Sequence, residues 1–272
     1  MRERMGYPEK KGSIDMKILA VGDVAGAPGL EFLEKKLRSL RESLELDFVV
    51  VNGENANVVG MAPRHGERIF DAGADVITLG NHTWAYRDIY EYLDENSRVI
   101  RPANFAPQCP GAGCAVVDTP KGRICVINLL GRYGLDANTD HPFVCIENLL
   151  NDLEGQADVF LVDFHAEATS EKRAMGYFLD GRVSAVWGTH THVQTSDAQV
   201  LPHGTGYITD LGMTGAVHSV LGVEIEQSIG KFLGDAPSRY RSGKGPSKLE
   251  GCLFEIDENT GACLNAQAIR VE

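Results

Sequence analysis

The chain has 272 residues, 43% apolar and 24% charged, enough to fill a substantial core as one large domain or two small ones. Its formal net charge of −12 argues against a surface that draws nucleic acid by long-range attraction, so a small anionic substrate would need a local source of positive charge, such as metal. No apolar run reaches the roughly 18 residues of a membrane span, and the charged start MRERMGYPEKKGSID has no hydrophobic segment like that of a signal peptide.

Residues 1–15 read as a flexible extension ahead of the first strand-like run, and residues 16–272 as a single domain. Apolar runs rich in Val and Ile then recur, each closing on a polar cluster: KILAVGD (17–23), FVVVNGEN (48–55), DVITLGNH (75–82), RICVINLLGR (123–132), DVFLVDFH (158–165) and SAVWGTHTH (184–192). Runs this continuous suit strands buried on both faces. Helix-like stretches lie between several of them, at 30–45, 64–73 and 143–153, which predicts strand–helix–strand units in a layered α/β protein. Gly and Pro punctuation at PGAG (110–113) and TPKG (119–122) predicts hairpin-like turns and hence mixed sheets. The segment 213–248 reads as a loop or lid, followed by closing strands at 252–257 and 263–272. The six cysteines include no C-x-x-C pair, and a chain of this size needs no disulfide staples, so reduced thiols in a cytoplasm are expected.

Residues able to ligate metal stand at the ends of the apolar runs, where open α/β sheets form ligand crevices: Asp23, Glu54, Asn55, Asn81, His82, His165, His190 and His192. Each has an ordinary explanation alone. Asp23 could cap the following helix, Glu54 and Asn55 could be turn residues, Asn81 and His82 could bind loop backbone, and His165 could be a satisfied buried histidine. Their joint register is harder to dismiss, because four of the eight histidines fall in it and His190 and His192 sit two residues apart. Carboxylate, amide oxygen and imidazole together suit Mn, Fe or Zn, and the absence of cysteine argues against a structural zinc cluster.

These residues resemble the calcineurin-like metallophosphoesterases, and within them the YmdB-like branch of bacterial phosphodiesterases. The resemblance runs from about Met16 to the C-terminus through VGDVAGAPG, VNGENAN, GADVITLGNHTW, RPANF, INLLGR, DFHAEATSEK, GTHTHVQT and ITDLGMTG. It implies the four-layer α/β/β/α sandwich of that superfamily and two divalent metal ions per chain. One metal would take Asp23, Glu54, Asn55 and His192, the other Glu54, Asn81, His165 and His190. The chain departs from the wider superfamily in two places. The usual D-x-H becomes Asp23 followed by Ala25, and the usual G-D-x-x-D becomes Gly53-Glu54-Asn55-Ala56-Asn57, so Asn55 fills the place of the absent histidine. That substitution makes its site richer in oxygen, favouring Fe or Mn, with Zn still open.

Two such ions can generate a bridging hydroxide at neutral pH and neutralise phosphoryl charge. His82, adjacent to Asn81, is placed to protonate the departing oxygen. By resemblance the substrate is a phosphodiester, with 2′,3′-cyclic nucleotides leading and short RNA a broader class. Arg101, Arg132 and Thr169 lie in matching motifs and are candidates to contact substrate, although surface ion pairs or caps explain them equally well. Two other readings stay open: a regulatory protein that binds a nucleotide or partner with slow or no turnover, and a dinuclear hydrolase of amides or esters. A homo-oligomer is also left open.

Overall fold

The computed structural model describes residues 15–272. The first part of the chain runs β1 (Asp15–Val21), β2 (Asp23–Val24), α1 (Gly26–Ser43), β3 (Phe48–Asn52), α2 (Pro63–Ala72), β4 (Val76–Thr78), a 3₁₀ turn (Thr83–Ala85), α3 (Ile89–Glu95) and β5 (Val99–Ile100). The second runs β6 (Cys114–Thr119), β7 (Gly122–Leu130), α4 (Pro142–Asp152), β8 (Val159–His165), α5 (Thr169–Leu179), β9 (Ala185–Thr189), β10 (Gln199–Val200) and β11 (Gly206–Ile208). The chain closes with β12 (Met213–Ala216), α6 (Ile225–Leu233), β13 (Ser247–Asp257) and β14 (Cys263–Val271).

Two mixed sheets result. In the first, β1, β3, β4 and β5 are parallel, while β13 runs antiparallel to β1, β12 and β14. In the second, β7, β8, β9 and β11 are parallel between antiparallel edges β6 and β10. Strand periodicity sorts the side chains into layers. Ile18 and Ala20 of β1 face Val126, Leu161 and Trp187 across the space between the sheets, while Leu19 and Val21 face Leu30, Leu33 and Leu37 of α1. The second sheet's other face packs on α4 and α5 through Ile127, Val162, Ile146 and Met175. The order of layers is therefore helix, sheet, sheet, helix, as the resemblance implied.

The expected strands and helices all form, with ends shifted by a few residues. Three helices were not anticipated: α3, α5 and α6. The turn at TPKG joins the hairpin β6–β7, whereas PGAG lies in the loop before β6. The stretch 213–248, expected as a loop or lid, contains β12 and α6. Of the expected extension, residues 1–14 lie outside the described residues and Asp15 opens β1. All six cysteines are free thiols. Among the described residues no helix is long and apolar enough to cross a membrane.

Candidate metal centre

The carboxyl ends of the parallel strands of both sheets meet at one edge of the sandwich. Asp23 follows β1, Glu54 and Asn55 follow β3, and Asn81 and His82 follow β4; from the other sheet, His165 ends β8 and His190 and His192 follow β9. Asp23, Glu54 and His165 are fully buried, with one potential ligand atom from each lying within 4.8 Å of the others.

Around His165 Nε2 stand Glu54 Oε2 at 2.8 Å, Asn81 Oδ1 at 3.0 Å and His190 Nδ1 at 3.1 Å. Next to this group, His192 Nε2 lies 3.5 Å from Asp23 Oδ1 and 3.2 Å from the Asn55 amide nitrogen. A flip of that amide, which heavy-atom positions barely distinguish, would turn its oxygen toward His192. His82 sits on the opposite side of Glu54, its Nδ1 2.9 Å from Glu54 Oε1 and 3.1 Å from Asn55 Oδ1, and its backbone N–H donates to Glu54 Oε1 at 2.7 Å. Its Nε2 is the nitrogen left for the cavity that His82 lines.

The donor set fits a divalent cation. Asp23 Oδ1 and Glu54 Oε2 are buried and form no hydrogen bond of good geometry, facing instead the ring nitrogens His192 Nε2 at 3.5 Å and His165 Nε2 at 2.8 Å, so a cation among them would stabilise both carboxylates. Carboxylate oxygen, amide oxygen and imidazole nitrogen converge without a thiol. Gly80, just before Asn81, keeps the space open: a Cβ there would collide with the Glu54 carboxylate and the His165 ring.

The charges couple strongly. Burial works to raise the Asp23 carboxyl, but the imidazoles of His192 and His165 outweigh it and hold it below the ordinary range. Burial likewise opposes ionisation of Glu54 and is overcome by His165 and His82. Burial pulls His165 down, yet Glu54 and Asp23 push it up to about 9. His190 is held down to about 4 by burial and by neighbouring His165.

Behind the cluster, polar groups that the sequence reading missed orient these side chains. His165 Nδ1 meets Thr189 Oγ1 at 2.9 Å, and Thr189 donates to Asp163 Oδ1 at 2.7 Å. Asp163 Oδ2 also accepts from Thr78 of the opposite sheet at 2.5 Å and from Asn52 at 3.1 Å, while Asn52 Oδ1 accepts the Glu54 N–H at 3.1 Å. Burial pushes the Asp163 carboxyl up to about 6. This network bolts the two sheets together and directs His165 Nε2 at the cluster, the arrangement expected behind a metal-binding imidazole. His192 Nδ1 meets Leu221 O at 2.9 Å and is oriented in the same way.

His190 and His192 both adopt left-handed backbone conformations, φ 98° and 61°, which cost about 1–3 kcal/mol each in a non-glycine residue. Thr191 between them is clamped: its hydroxyl and N–H donate to Asp210 Oδ2 at 2.7 and 3.2 Å, and Asp210 is paired with buried Lys172 at 2.7 Å. A sequence signal did exist, since Asp163 and Asp210 are lone acids inside otherwise apolar or small-residue runs.

All eight residues picked from the run ends are thus brought together. Arg101, Arg132 and Thr169 do not line the cavity at the cluster. Arg101 is 5% exposed, its guanidinium donating to the carbonyls of Pro102, Pro110 and Cys109, so it fastens its own loop. Arg132 is exposed beside a separate cavity with Tyr133 and His141, and Thr169 begins α5.

A helix–sheet–sheet–helix sandwich with carboxylates and imidazoles gathered at the joint carboxyl edge is the architecture of the metallophosphoesterases. Residues 19–269 match the family described as YmdB-like protein, and the chain belongs to that family. It is 40% identical over 257 residues to a 2′,3′-cyclic-nucleotide 2′-phosphodiesterase of Bacillus subtilis, covering 94% of this chain and 97% of that one. The crystal structure of a phosphatase from Mycoplasma pneumoniae superposes with a TM-score of 0.89 at 36% identity, over 96% of this chain and 94% of that one. A protein from Thermus thermophilus described as hypothetical superposes with a TM-score of 0.88 at 38% identity, over 94% of this chain and 99% of that one.

Proposed function

We propose that the chain is a dinuclear metal-dependent phosphodiesterase that hydrolyses 2′,3′-cyclic nucleotides or related RNA-derived phosphodiesters, short RNA included. The observation that carries this reading is Glu54: its buried carboxylate faces His165 on one side and His82 on the other, so a metal-ligand set and a proton donor share one residue. Asp23, Glu54, Asn55 and His192 would hold one divalent ion, and Glu54, Asn81, His165 and His190 the other. The ions would supply Lewis acidity toward phosphoryl oxygens and a nucleophile from water at neutral pH. Because an amide oxygen replaces imidazole at Asn55, Fe²⁺ or Mn²⁺ should serve better than Zn²⁺. His82 then delivers its Nε2 proton to the departing ribose oxygen, with Nδ1 anchored on Glu54. Residues 16–272 act as one domain, and the cytoplasm, where RNA fragments arise, is the compartment this substrate suits.

His82→Ala tests the proposal. It should keep two metal ions by elemental analysis, lose about 10²- to 10⁴-fold in rate on 2′,3′-cyclic AMP, and lose far less on bis-nitrophenyl phosphate, whose leaving group departs unaided. Equal losses on both substrates at intact metal content would remove His82 as the acid. Fewer than two ions in reconstituted wild type would overturn the dinuclear site.

A further inference from the structure

The cluster opens into a cavity of about 430 Å³, a size that admits a mononucleotide. Its floor is polar, formed by Asn55, His82, His190 and His192. The walls differ in character. Val58 and Val59 stand on one side, and Leu221, Val223, Phe232 and Tyr240 belong to the 213–248 segment.

Helix α6 is turned inside out relative to an ordinary surface helix. Ser228 and Gly230 are its buried residues, while Phe232 is 85% exposed. A helix normally hides its apolar side chains, so a ring left in water at the mouth of a cavity calls for an occupant. The Lys231 ammonium lies 5.2 Å from the centre of the Tyr240 ring, with its nitrogen on the phenol hydroxyl. Gln227 fixes the 238–241 loop to α6 by accepting the Arg241 N–H and donating to Arg239 O, each at 2.8 Å. Rim and helix therefore form one unit, tied to the floor where His192 meets Leu221 O. Of the cations in the segment 213–248, Lys231 is the one that lines the cavity, which the acidic Glu167 also lines, while Arg241 and Lys244 pair with Glu224.

We propose that this rim reads the nucleobase: Phe232 and Tyr240 form a stacking wall that holds the base of a mononucleoside substrate while its ribose phosphate lies on the floor. The proposal rests on the phosphodiesterase reading and deepens it. Two features favour a base over a bare alkyl chain: aromatic rings are the wall's largest surfaces, and Lys231 offers a hydrogen-bond donor beside them. Stacking of this kind tolerates many bases, since each has a π face, so discrimination falls between base-bearing and base-free esters.

Two measurements on the metal-loaded full chain test it. In steady-state kinetics with 2′,3′-cyclic AMP and glycerol 1,2-cyclic phosphate, Phe232→Ala should lower the ratio of kcat/KM between the two about tenfold, mainly through KM for the nucleotide, and Phe232→Trp should restore it. In titration calorimetry, Phe232→Ala should weaken adenosine 3′-monophosphate about tenfold, within what one base–aromatic stack supplies. If wild type turns over neither ester yet that binding loss appears, the base wall stands and the phosphodiesterase reading falls. An unchanged ratio with unchanged nucleotide affinity overturns the wall. A change in sedimentation of Phe232→Ala without loss of nucleotide affinity overturns it too, and assigns the ring to contact between copies of the chain.

Discussion

Lys172→Met is the sharpest test of how the His190–His192 turn is held. The Lys172 ammonium lies 2.7 Å from Asp210 Oδ2, and both side chains are 1% exposed. At an effective dielectric near 20 the gross attraction at that distance is about 6 kcal/mol, most of it offset by the cost of stripping water from both ions. The intact pair thus adds little net stability, but removing one partner leaves a buried carboxylate uncompensated, at about 3–5 kcal/mol. Met fills the aliphatic volume of the lysine stem, so the loss reports charge rather than packing. Urea unfolding of the metal-free protein should show a loss of that size. Metal affinity should fall as well, because Asp210 also holds Thr191 between two residues in strained backbone conformations. Adding Asp210→Asn removes the lone charge while keeping an acceptor for Thr191, so the double variant should be more stable than Lys172→Met alone. A loss below about 1 kcal/mol in Lys172→Met, or a double variant less stable than the single, would refute this account.

Gly80→Ala should keep the fold by circular dichroism but weaken metal binding at least about tenfold, because the added methyl must displace the Glu54 carboxylate or the His165 ring; wild-type affinity in a competitive chelator titration would count against it. Metal uptake should also depend on pH through His165, raised to about 9 from an ordinary 6.5 in the metal-free cluster. Its stabilisation of the metal-free fold is fully present below pH 6.5 and lost as pH rises toward 9, whereas a metal needs the neutral ring. Affinity should therefore climb across that window, with about one proton released per ion bound there at pH 7. Calorimetry in two buffers of unlike ionisation enthalpy counts that proton, and no difference between them would contradict the assignment.

The sheet strands were legible because the central ones are apolar on both faces, so β1, β3, β7, β8 and β9 announce themselves as continuous runs. The cluster was legible for a related reason: a polar residue directly after such a run can only sit at the sheet's edge. Orientation was harder to read. Arg101 occupies a motif position as promising as any, yet its guanidinium turns inward onto three carbonyls, and nothing in RPANF tells an inward arginine from an outward one. Asp163 and Asp210 looked like interruptions of apolar runs because their partners, Thr78 and Lys172, lie 85 and 38 residues away in sequence. Helix α6 escaped notice because it is only nine residues long and lies in a stretch rich in Gly, Ser, Pro and basic residues that reads as loop, although Ile225, Ile229 and Phe232 keep a helical spacing.

The place of β13 beside β1 sets a schedule for the growing chain. Every proposed ligand has been synthesised by His192, yet β1 then still lacks the neighbour that pairs with it from Asp15 to Val21. Glu250 of that late strand accepts the Gly22 N–H through its carbonyl at 2.9 Å, and its side chain accepts the Met213 N–H at 3.2 Å, on either side of the backbone that carries Asp23. The ribosome must therefore deliver more than fifty residues beyond the last ligand before Asp23 is locked in place. A nascent or prematurely ended chain without β13 would carry all the proposed ligands but hold Asp23 loosely, so the site is completed only once that strand has been made.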